Sequence, residues 1–534
     1  MLVQTKLRPD HHQTARIVDA YFEKQSELLK KSVLGLRRVG KKVDKLLVAE
    51  IDCWPSPFDH NYFGVLLHGL TENFEPRSFL LYTDILGTPE TAQNQGQRLL
   101  SVCRDMLGDD ITEVCWAIQS DNTPKASNVP AVLNLRSLRC FAHILALGPT
   151  HLLHPVRRQR DRAPVWVMHE NAVPEVYDFC ERLRAFIKHL DRHEELRKSL
   201  TVILRRHNSR IFKLPLDSSS KWNSTFFMLD TFTRMQASIM DWLSVYGDKL
   251  PRGAGVALDD FRLARQLAGV LRPVFCCSQL MQGNAFKGSS EKDLEPAAVV
   301  EVADAADGQL VAVSDADLLP AIRNFRAGLR NDLEYNKRHL EGSMRELEIA
   351  AALDPRYKDL GWMTVAKRQS VRTALRDLIL EQGVPDMPPV PAPRERAPDR
   401  GPIDGMAGFL ERGRAHLNQV VPIPADSRDF RQTVQEVLQL HFNAPSAPLN
   451  ADPLAIWADR VKKGGPMAVY LAPVARKYLA IPGASGSIER VWSTARTLLQ
   501  FNKACLEGGR VSKLLPLRYN LEALGLWPMK FDLQ

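Results

Sequence analysis

The sequence predicts an α/β domain followed by mainly helical segments. Short apolar runs bounded by turn-forming residues fill much of the chain between residues 45 and 120. Helical periodicity dominates from residue 258 to about residue 382. Strands that alternate with helices are typical of α/β domains. Because a chain of 534 residues is too long for one ordinary hydrophobic core, we expect two or three domains.

Four strands and one helix are predicted in the first part of the chain. The strands cover residues 46–52, 62–70, 78–86 and 111–118, and the helix covers residues 88–107. The preceding segment, residues 1–43, is predicted to be helical and basic.

Composition fits a soluble globular protein with an anionic partner. The net charge is +9 and the predicted pI is about 9.1, which favours nucleic acid as that partner. No apolar run is long enough to span a membrane, and the N-terminus does not resemble a signal peptide. The eight cysteines are widely spread, which indicates reduced thiols rather than a disulfide framework or a complete zinc finger.

Two aspartates follow predicted strands. Asp52 ends the first strand, and Asp121 comes soon after the fourth. Active sites in open α/β sheets lie at the carboxyl ends of strands. Two carboxylates there would favour Mg²⁺ or Mn²⁺ between them, since these ions prefer oxygen ligands. The alternative is that each aspartate only caps a turn.

Two further motifs have both a functional and a structural interpretation. Cys140 and His143 are expected to share a helix face, either as half of a metal site or as a packed pair. Lys221 and Trp222 precede an apolar helix. Trp222 either stacks on an unpaired base or anchors that helix to the core.

The stretch from Tyr478 to Asn520 joins a Pro-Gly-Ser loop to an amphipathic helix. Its apolar residues recur at helical spacing, at Ile488, Val491, Trp492, Ala495, Leu498 and Leu499. Glu489, beside Arg490, lies near the start of this helix. It is either a rigidly held catalytic carboxylate or a surface residue that suits the helix dipole.

Together these motifs resemble the hAT superfamily of DNA transposases and their host-domesticated relatives. The resemblance runs from about residue 43 to residue 524. Six pieces carry it in the order of the family: Asp52-Cys53-Trp54, Asp121-Asn122, the Cys140/His143 spacing, Lys221-Trp222-Asn223-Ser224-Thr225, the turn at residues 353–358, and the stretch at residues 478–520.

The resemblance implies an RNase H-like mixed sheet, flanked by helices and interrupted by a large helical insertion. The expected domains are residues 1–43, a helical basic segment; 44–210, the first part of the RNase H-like domain; 211–450, the helical insertion with a Pro-rich loop at 383–405; and 451–534, a C-terminal dimerisation region that completes the RNase H-like domain. Leu514, Leu517, Leu521 and Leu524 are candidates for the dimer surface.

The implied chemistry is DNA strand cleavage and transfer by an Asp-Asp-Glu site. Asp52, Asp121 and Glu489 match the acidic triad of the family and would hold two Mg²⁺ or Mn²⁺ ions, roughly 3.5–4 Å apart. Trp54, Lys221, Trp222 and Arg490 are the expected DNA contacts. Cys140 and His143 match a family motif interpreted as structural support. The resemblance implies a DNA-binding homodimer or higher homo-oligomer with no membrane association, located in the nucleus if the protein is eukaryotic.

Departures from the family leave two functions open. The N-terminal BED-type zinc finger of the family is not found, Pro55 stands where Thr or Ser is usual, and Trp492 stands where Phe is usual. The first hypothesis is a transposase or its catalytic core with doubtful autonomous activity. The second is a catalytically silent, domesticated or truncated protein that dimerises and binds DNA.

Overall fold

The structure is a computed structural model. It describes residues 11–525 with the exception of positions 40–41, 57–60, 88, 122, 161–162, 212, 219–221, 282–316, 339–340, 362, 384–426, 449–450, 502–507 and 522. Lys221, Asn122 and most of the predicted Pro-rich loop lie outside the described residues.

The chain divides into two compact units. The first joins residues 1–140 to residues 342–534, and the second consists of residues 141–341. We call them the sheet unit and the helical unit. A mixed sheet together with a separate helical part confirms the α/β plus all-α class. The helical unit begins at residue 141, whereas the sequence places the helical insertion from residue 211.

The sheet unit opens with helix α1 and contains a short ribbon and a five-stranded sheet. In chain order its strands and helices are α1 (His11–Arg37), β1 (Arg38–Val39), β2 (Lys42–Val43), β3 (Leu47–Pro55), β4 (Asn61–Leu70), β5 (Pro76–Ile85), α2 (Ala92–Leu107), α3 (Ile111–Val114), β6 (Cys115–Ser120), α4 (Pro124–Ser127), α5 (Val129–Val132) and β7 (Arg136–Arg139). The sheet order is β5-β4-β3-β6-β7. Strands β5, β4 and β3 are antiparallel, and β3, β6 and β7 are parallel.

The helical unit contains a β-hairpin and seven described α-helices. They are α6 (Phe141–Leu153), β8 (Val156–Arg160), β9 (Ala163–Val167), α7 (Pro174–Arg192), α8 (Glu194–Arg206), α9 (Trp222–Arg234), α10 (Gln236–Tyr246), α11 (Leu258–Met281) and α12 (Pro320–Lys337). Their apolar faces form one core cluster. The segment before residue 211 therefore belongs with the helices, since α6, α7 and α8 bury their apolar faces in this core.

The chain then returns to the sheet unit through eight described helices. They are α13 (Glu341–Leu353), α14 (Val365–Gln382), α15 (Ser427–Asn443), α16 (Pro453–Lys463), α17 (Pro466–Tyr470), α18 (Ala472–Tyr478), α19 (Gly486–Phe501) and α20 (Gly508–Asn520). None of the helices in the described part of the chain has the length and apolar character that crossing a membrane requires.

Helices cover both faces of the sheet, which explains the apolar runs in its strands. On β3, Leu47, Ala49 and Ile51 belong to a core with α1 and α2. The alternate residues Val48 and Trp54 belong to cores with the C-terminal helices. Successive side chains of a strand point to opposite faces, so a strand buried on both sides is apolar at nearly every position.

Two details of the sheet differ from the sequence prediction. The fourth predicted strand begins with a helical turn, α3, and only Cys115–Ser120 is extended. Asp110 occupies the N-cap position of that turn, and its carbonyl accepts the Glu113 amide at 2.9 Å. The fifth strand, β7, was not predicted because Leu138 is its one apolar residue.

The C-terminal helices close the edge of the sheet. Asn520 accepts the Leu80 amide and donates to the Leu80 carbonyl, both at 2.9 Å, which satisfies backbone groups of the edge strand β5. Leu517 is buried, and Leu524 packs against the core that contains α1 and α2. The side chains of those two leucines therefore pack within the sheet unit rather than on the predicted dimer surface.

The turn at residues 353–358 has a structural role. Lys358 is fully buried, and its ammonium donates to the carbonyls of His441 and Ala444 at the end of α15. Asp354 pairs with Arg356 at 2.7 Å. This motif therefore joins α13 to α15 within the sheet unit.

Candidate active site

The backbone brings Asp52 and Asp121 to the same edge of the sheet. Ile51 and Ser120 are register partners on the parallel strands β3 and β6, and each aspartate is the next residue along its chain. Neighbouring strands lie about 4.8 Å apart. Asp121 directly follows the end of β6, as the sequence predicts. The prediction that Asp52 ends its strand is wrong, because β3 continues to Pro55 through its pairing with β4. Asp52 lies at the point where the pairing of β3 with β6 ends.

Several carboxylates act together at this edge. Burial and, in smaller measure, the negative charges of Asp52, Glu90 and Asp121 together raise the pKa of Cys53 to about 12, while Lys125 opposes them. A thiol resists ionisation where negative charge is concentrated. The same concentration of hard oxygen ligands suits Mg²⁺ or Mn²⁺.

A buried carboxylate fixes the start of α19 on the sheet. Glu50 is fully buried, and its Oε1 accepts the Ile488 amide at 3.1 Å. Its Oε2 lies 2.7 Å from His68 Nε2, and His68 Nδ1 lies 2.8 Å from Ser78 Oγ. An acid at the N-terminus of a helix satisfies an unpaired amide and complements the helix dipole. Glu50 therefore holds the helix turn that carries Glu489.

A second contact joins the same helix to Asp52. The indole Nε1–H of Trp492 donates to Asp52 Oδ2 at 2.9 Å, and the Cys53 amide donates to Asp52 Oδ1 at 2.9 Å. The Trp492 ring stacks on Trp54 with centroids 5.8 Å apart and planes 16° apart. Both indoles are largely buried. Trp54, predicted as a DNA contact, instead packs between the sheet and α19.

Gly64 provides the space for this packing. It is the register partner of Asp52 on β4. A Cβ at this position would lie 2.6 Å and 2.7 Å from two ring atoms of Trp492 and 3.0 Å from Ile488 Cδ1. Residue 64 must therefore lack a side chain for α19 to approach the sheet this closely.

The loop before α19 is held by two polar contacts. Gln119 Nε2 donates to the Pro482 carbonyl at 2.8 Å, and the Ser485 amide donates to Cys140 Sγ at 3.2 Å. Cys140 is itself buried at the end of β7, and its amide donates to the Ser120 carbonyl at 3.1 Å.

The predicted shared helix face of Cys140 and His143 is wrong, because α6 begins at Phe141. Cys140 instead supports the loop that leads to Glu489. A supporting role for Cys140 agrees with the family motif, and neither residue of this pair belongs to a group of three close metal-ligand atoms in the described residues.

Glu489 lies in the first turn of α19 and is exposed. Its neighbour Ile488 and the next-turn residue Trp492 both contact β3. Asp52, Asp121 and Glu489 are not gathered around a single ion, because the one group of three close metal-ligand atoms in the described part of the chain lies elsewhere. Two ions would span a wider site. The convergence of the three acids on such a pair stays a prediction.

The predicted DNA contacts differ in how exposed their side chains are. Trp222 is 3% exposed and lies in the core of the helical unit, so it is the helix anchor rather than a surface for base stacking. Thr225 of the same motif donates to Asp217 at 2.7 Å, and Arg184 pairs with Asp217 at 2.7 Å. This buried network fixes the position of the segment that contains Trp222 and Thr225. Arg490 is exposed and donates to Ser487 Oγ at 3.0 Å.

Sequence reasoning missed Glu50, His68 and Gln119. A signal for Glu50 was present, because an acid inside the apolar run of β3 must be paired when buried. No sequence pattern indicated His68, whose partners Glu50 and Ser78 lie on neighbouring strands, or Gln119, whose partner Pro482 is 363 residues away.

Comparison with known proteins supports a relationship over part of the chain. Residues 138–253 match the family model described as the ZBED1 RNase-like helical domain. A protein of Talaromyces stipitatus named "Putative transcriptional regulator tpeD" is 25% identical over 276 residues, which cover 47% of this chain and 30% of that protein. The chain thus corresponds to less than a third of this relative.

The packing at Gly64 makes a testable prediction. Gly64→Ala forces Trp492 and Ile488 away from the sheet, so we expect the free energy of unfolding to fall by about 1–3 kcal/mol. Denaturant unfolding followed by tryptophan fluorescence measures it. Gly35→Ala is the matched control, because nothing lies within 4 Å of its added Cβ and alanine favours the α1 helix. Equal stability of both variants would contradict the close packing of α19.

Proposed function

We propose that this chain is a hAT-like, transposase-derived protein whose sheet unit carries a metal-dependent site for DNA strand cleavage and transfer. The site consists of Asp52, Asp121 and Glu489. The mixed sheet flanked by helices agrees with the RNase H-like architecture that the resemblance implies. The match to the ZBED1 RNase-like helical domain supports a transposase-derived origin.

One observation carries the catalytic proposal. Asp52 and Asp121 directly follow the register pair Ile51 and Ser120, so two acids emerge from adjacent parallel strands. The helix that carries Glu489 is bound to β3 through Glu50 and Asp52. The three elements that must meet in an Asp-Asp-Glu site are therefore neighbours in the sheet unit.

In this proposal the acids bind the metal ions, other residues position the acids, and basic residues bind DNA. Two Mg²⁺ or Mn²⁺ ions, when bound, would activate the attacking water or 3′-hydroxyl and stabilise the leaving oxygen. Asp52 and Asp121 would supply oxygen ligands from the strands, and Glu489 would supply one from α19. Glu50, Gln119 and Cys140 hold that helix and its preceding loop in position. Exposed basic groups such as Arg490 would bind the DNA phosphates.

A second function has support from a different observation. Asp52 Oδ2 accepts the Trp492 indole N–H, and this bond competes with a metal ion for that oxygen. The similarity to a protein named as a transcriptional regulator also favours a regulatory role. On this alternative the chain binds DNA and acts in the nucleus as a catalytically silent dimer. The two functions differ in whether DNA is cut.

Plasmid cleavage separates the two functions. We expect the full chain to nick supercoiled DNA in the presence of Mn²⁺, and Asp121→Asn or Glu489→Gln to reduce the rate at least about a hundredfold by removing a metal ligand. Asp105→Asn, an exposed acid on α2, is the control and should nick like the unchanged chain. If the chain binds DNA without nicking it, the regulatory function is supported and the catalytic one is refuted.

The hydrogen bond from Trp492 to Asp52 provides a finer test. Trp492→Phe keeps a ring but removes the N–H, so Asp52 Oδ2 becomes a better metal ligand. We expect Mn²⁺ affinity to rise about fivefold, equivalent to roughly 1 kcal/mol for one hydrogen bond. Calorimetric titration measures the change. Trp54→Phe alters the stacked partner but keeps the Trp492 N–H, and should leave the affinity unchanged. A decrease with Trp492→Phe would show that the indole positions Asp52 for metal.

A further inference from the structure

Three potential metal ligands meet inside the helical unit, apart from the acids of the sheet unit. His151 lies on α6, His169 lies in the loop after β9, and Asp332 lies on α12. One ligand atom from each lies within 4.8 Å of the others. His151 Nδ1 is 3.2 Å from Asp332 Oδ2 and 3.4 Å from Oδ1. The group therefore joins parts of the chain 181 residues apart.

The carboxylate of this group needs a positive partner. The Asp332 side chain is only 5% exposed. Its described partners are His151 and the amide of Asn336, which donates to Oδ2 at 2.8 Å. Neither carries a permanent charge, and a buried carboxylate is costly unless its charge is balanced. A cation bound at this point would provide that balance.

We propose that His151, His169 and Asp332 bind one Zn²⁺ ion. Zinc binds imidazole nitrogen and carboxylate oxygen at about 2.0–2.2 Å, so two ligands of a tetrahedral site lie about 3.3 Å apart. The distance from His151 Nδ1 to Asp332 fits that edge. Two imidazoles favour zinc over Mg²⁺, which prefers oxygen ligands. Three protein ligands leave one position for water.

His169 must move to complete this site. Its ring stacks on His151 with centroids 4.8 Å apart and planes 8° apart, and its Nδ1 accepts the Asn171 amide at 3.2 Å. A neutral imidazole that ligates zinc through one nitrogen carries its proton on the other. Whichever nitrogen binds, Nδ1 can no longer accept the Asn171 amide. Zinc binding therefore turns the ring and rearranges the loop after β9.

The zinc ion would stabilise the helical unit. It would tie α6, the loop after β9 and α12 together through a bound ion rather than through side-chain packing alone. The alternative is a proton: a positively charged His151 would also balance Asp332. Metal titration distinguishes these two cations.

The test uses the full chain after removal of metal with a chelator that is then dialysed away. Zinc affinity is measured by competition with a chromophoric chelator. We expect Asp332→Asn, which keeps the side-chain shape, and His169→Ala to weaken the high-affinity site at least tenfold. His193→Ala is the matched control: His193 is exposed and contacts the ring of His189 in the same unit. This variant should bind zinc like the unchanged chain.

A second measurement guards against binding by the cysteines and against misfolding. Co²⁺ in place of zinc should give visible absorption without a thiolate charge-transfer band, and circular dichroism should show that the metal-free variants are folded. Equal zinc affinity in all variants, a thiolate band, or no zinc binding at all would overturn the proposal. Because the zinc ligands lie in the helical unit, success or failure of this test does not bear on the proposed DNA-cleavage site in the sheet unit.

Discussion

The hydrogen bond from the Ile488 amide to the buried carboxylate of Glu50 is the contact on which the candidate site depends. Glu50 is fully enclosed between the sheet and α19, with His68 and Ser78 continuing the polar chain behind it. A buried acid without such partners would destabilise the fold. The carboxylate therefore specifies where α19 begins on the sheet, and so where Glu489 emerges.

Much of the sheet was predictable because its strands are buried on both faces. The apolar runs of β3, β4 and β5 identified them to within a few residues. The edge strand β7 was not predictable, since Arg136–Arg139 contains one apolar residue and depends on its pairing with β6. The division of the chain at residue 141 was also missed, because helical periodicity does not show which core a helix joins.

The sequence indicated which acids to consider for the candidate site, but it did not indicate the contacts that surround them. Asp52 and Asp121 were selected from their predicted positions at strand ends. Each directly follows a member of the register pair Ile51 and Ser120, although β3 continues beyond Asp52 to Pro55. The sequence left two roles open for Trp222, and its burial shows that it anchors the helix to the core. The contacts of Cys140 and Trp492 join residues hundreds of positions apart, so a pattern read along the chain cannot show them.

The most direct test of the central claim is a crystal structure of the full chain grown with Mn²⁺, with the ions located by anomalous scattering. The account predicts Mn²⁺ between Asp52 of β3 and the end of β6, with oxygens of Asp52, Asp121 and Glu489 as ligands and the Glu50–Ile488 contact intact. Anomalous density that is absent from this position, or Glu489 directed away from bound Mn²⁺, would contradict it.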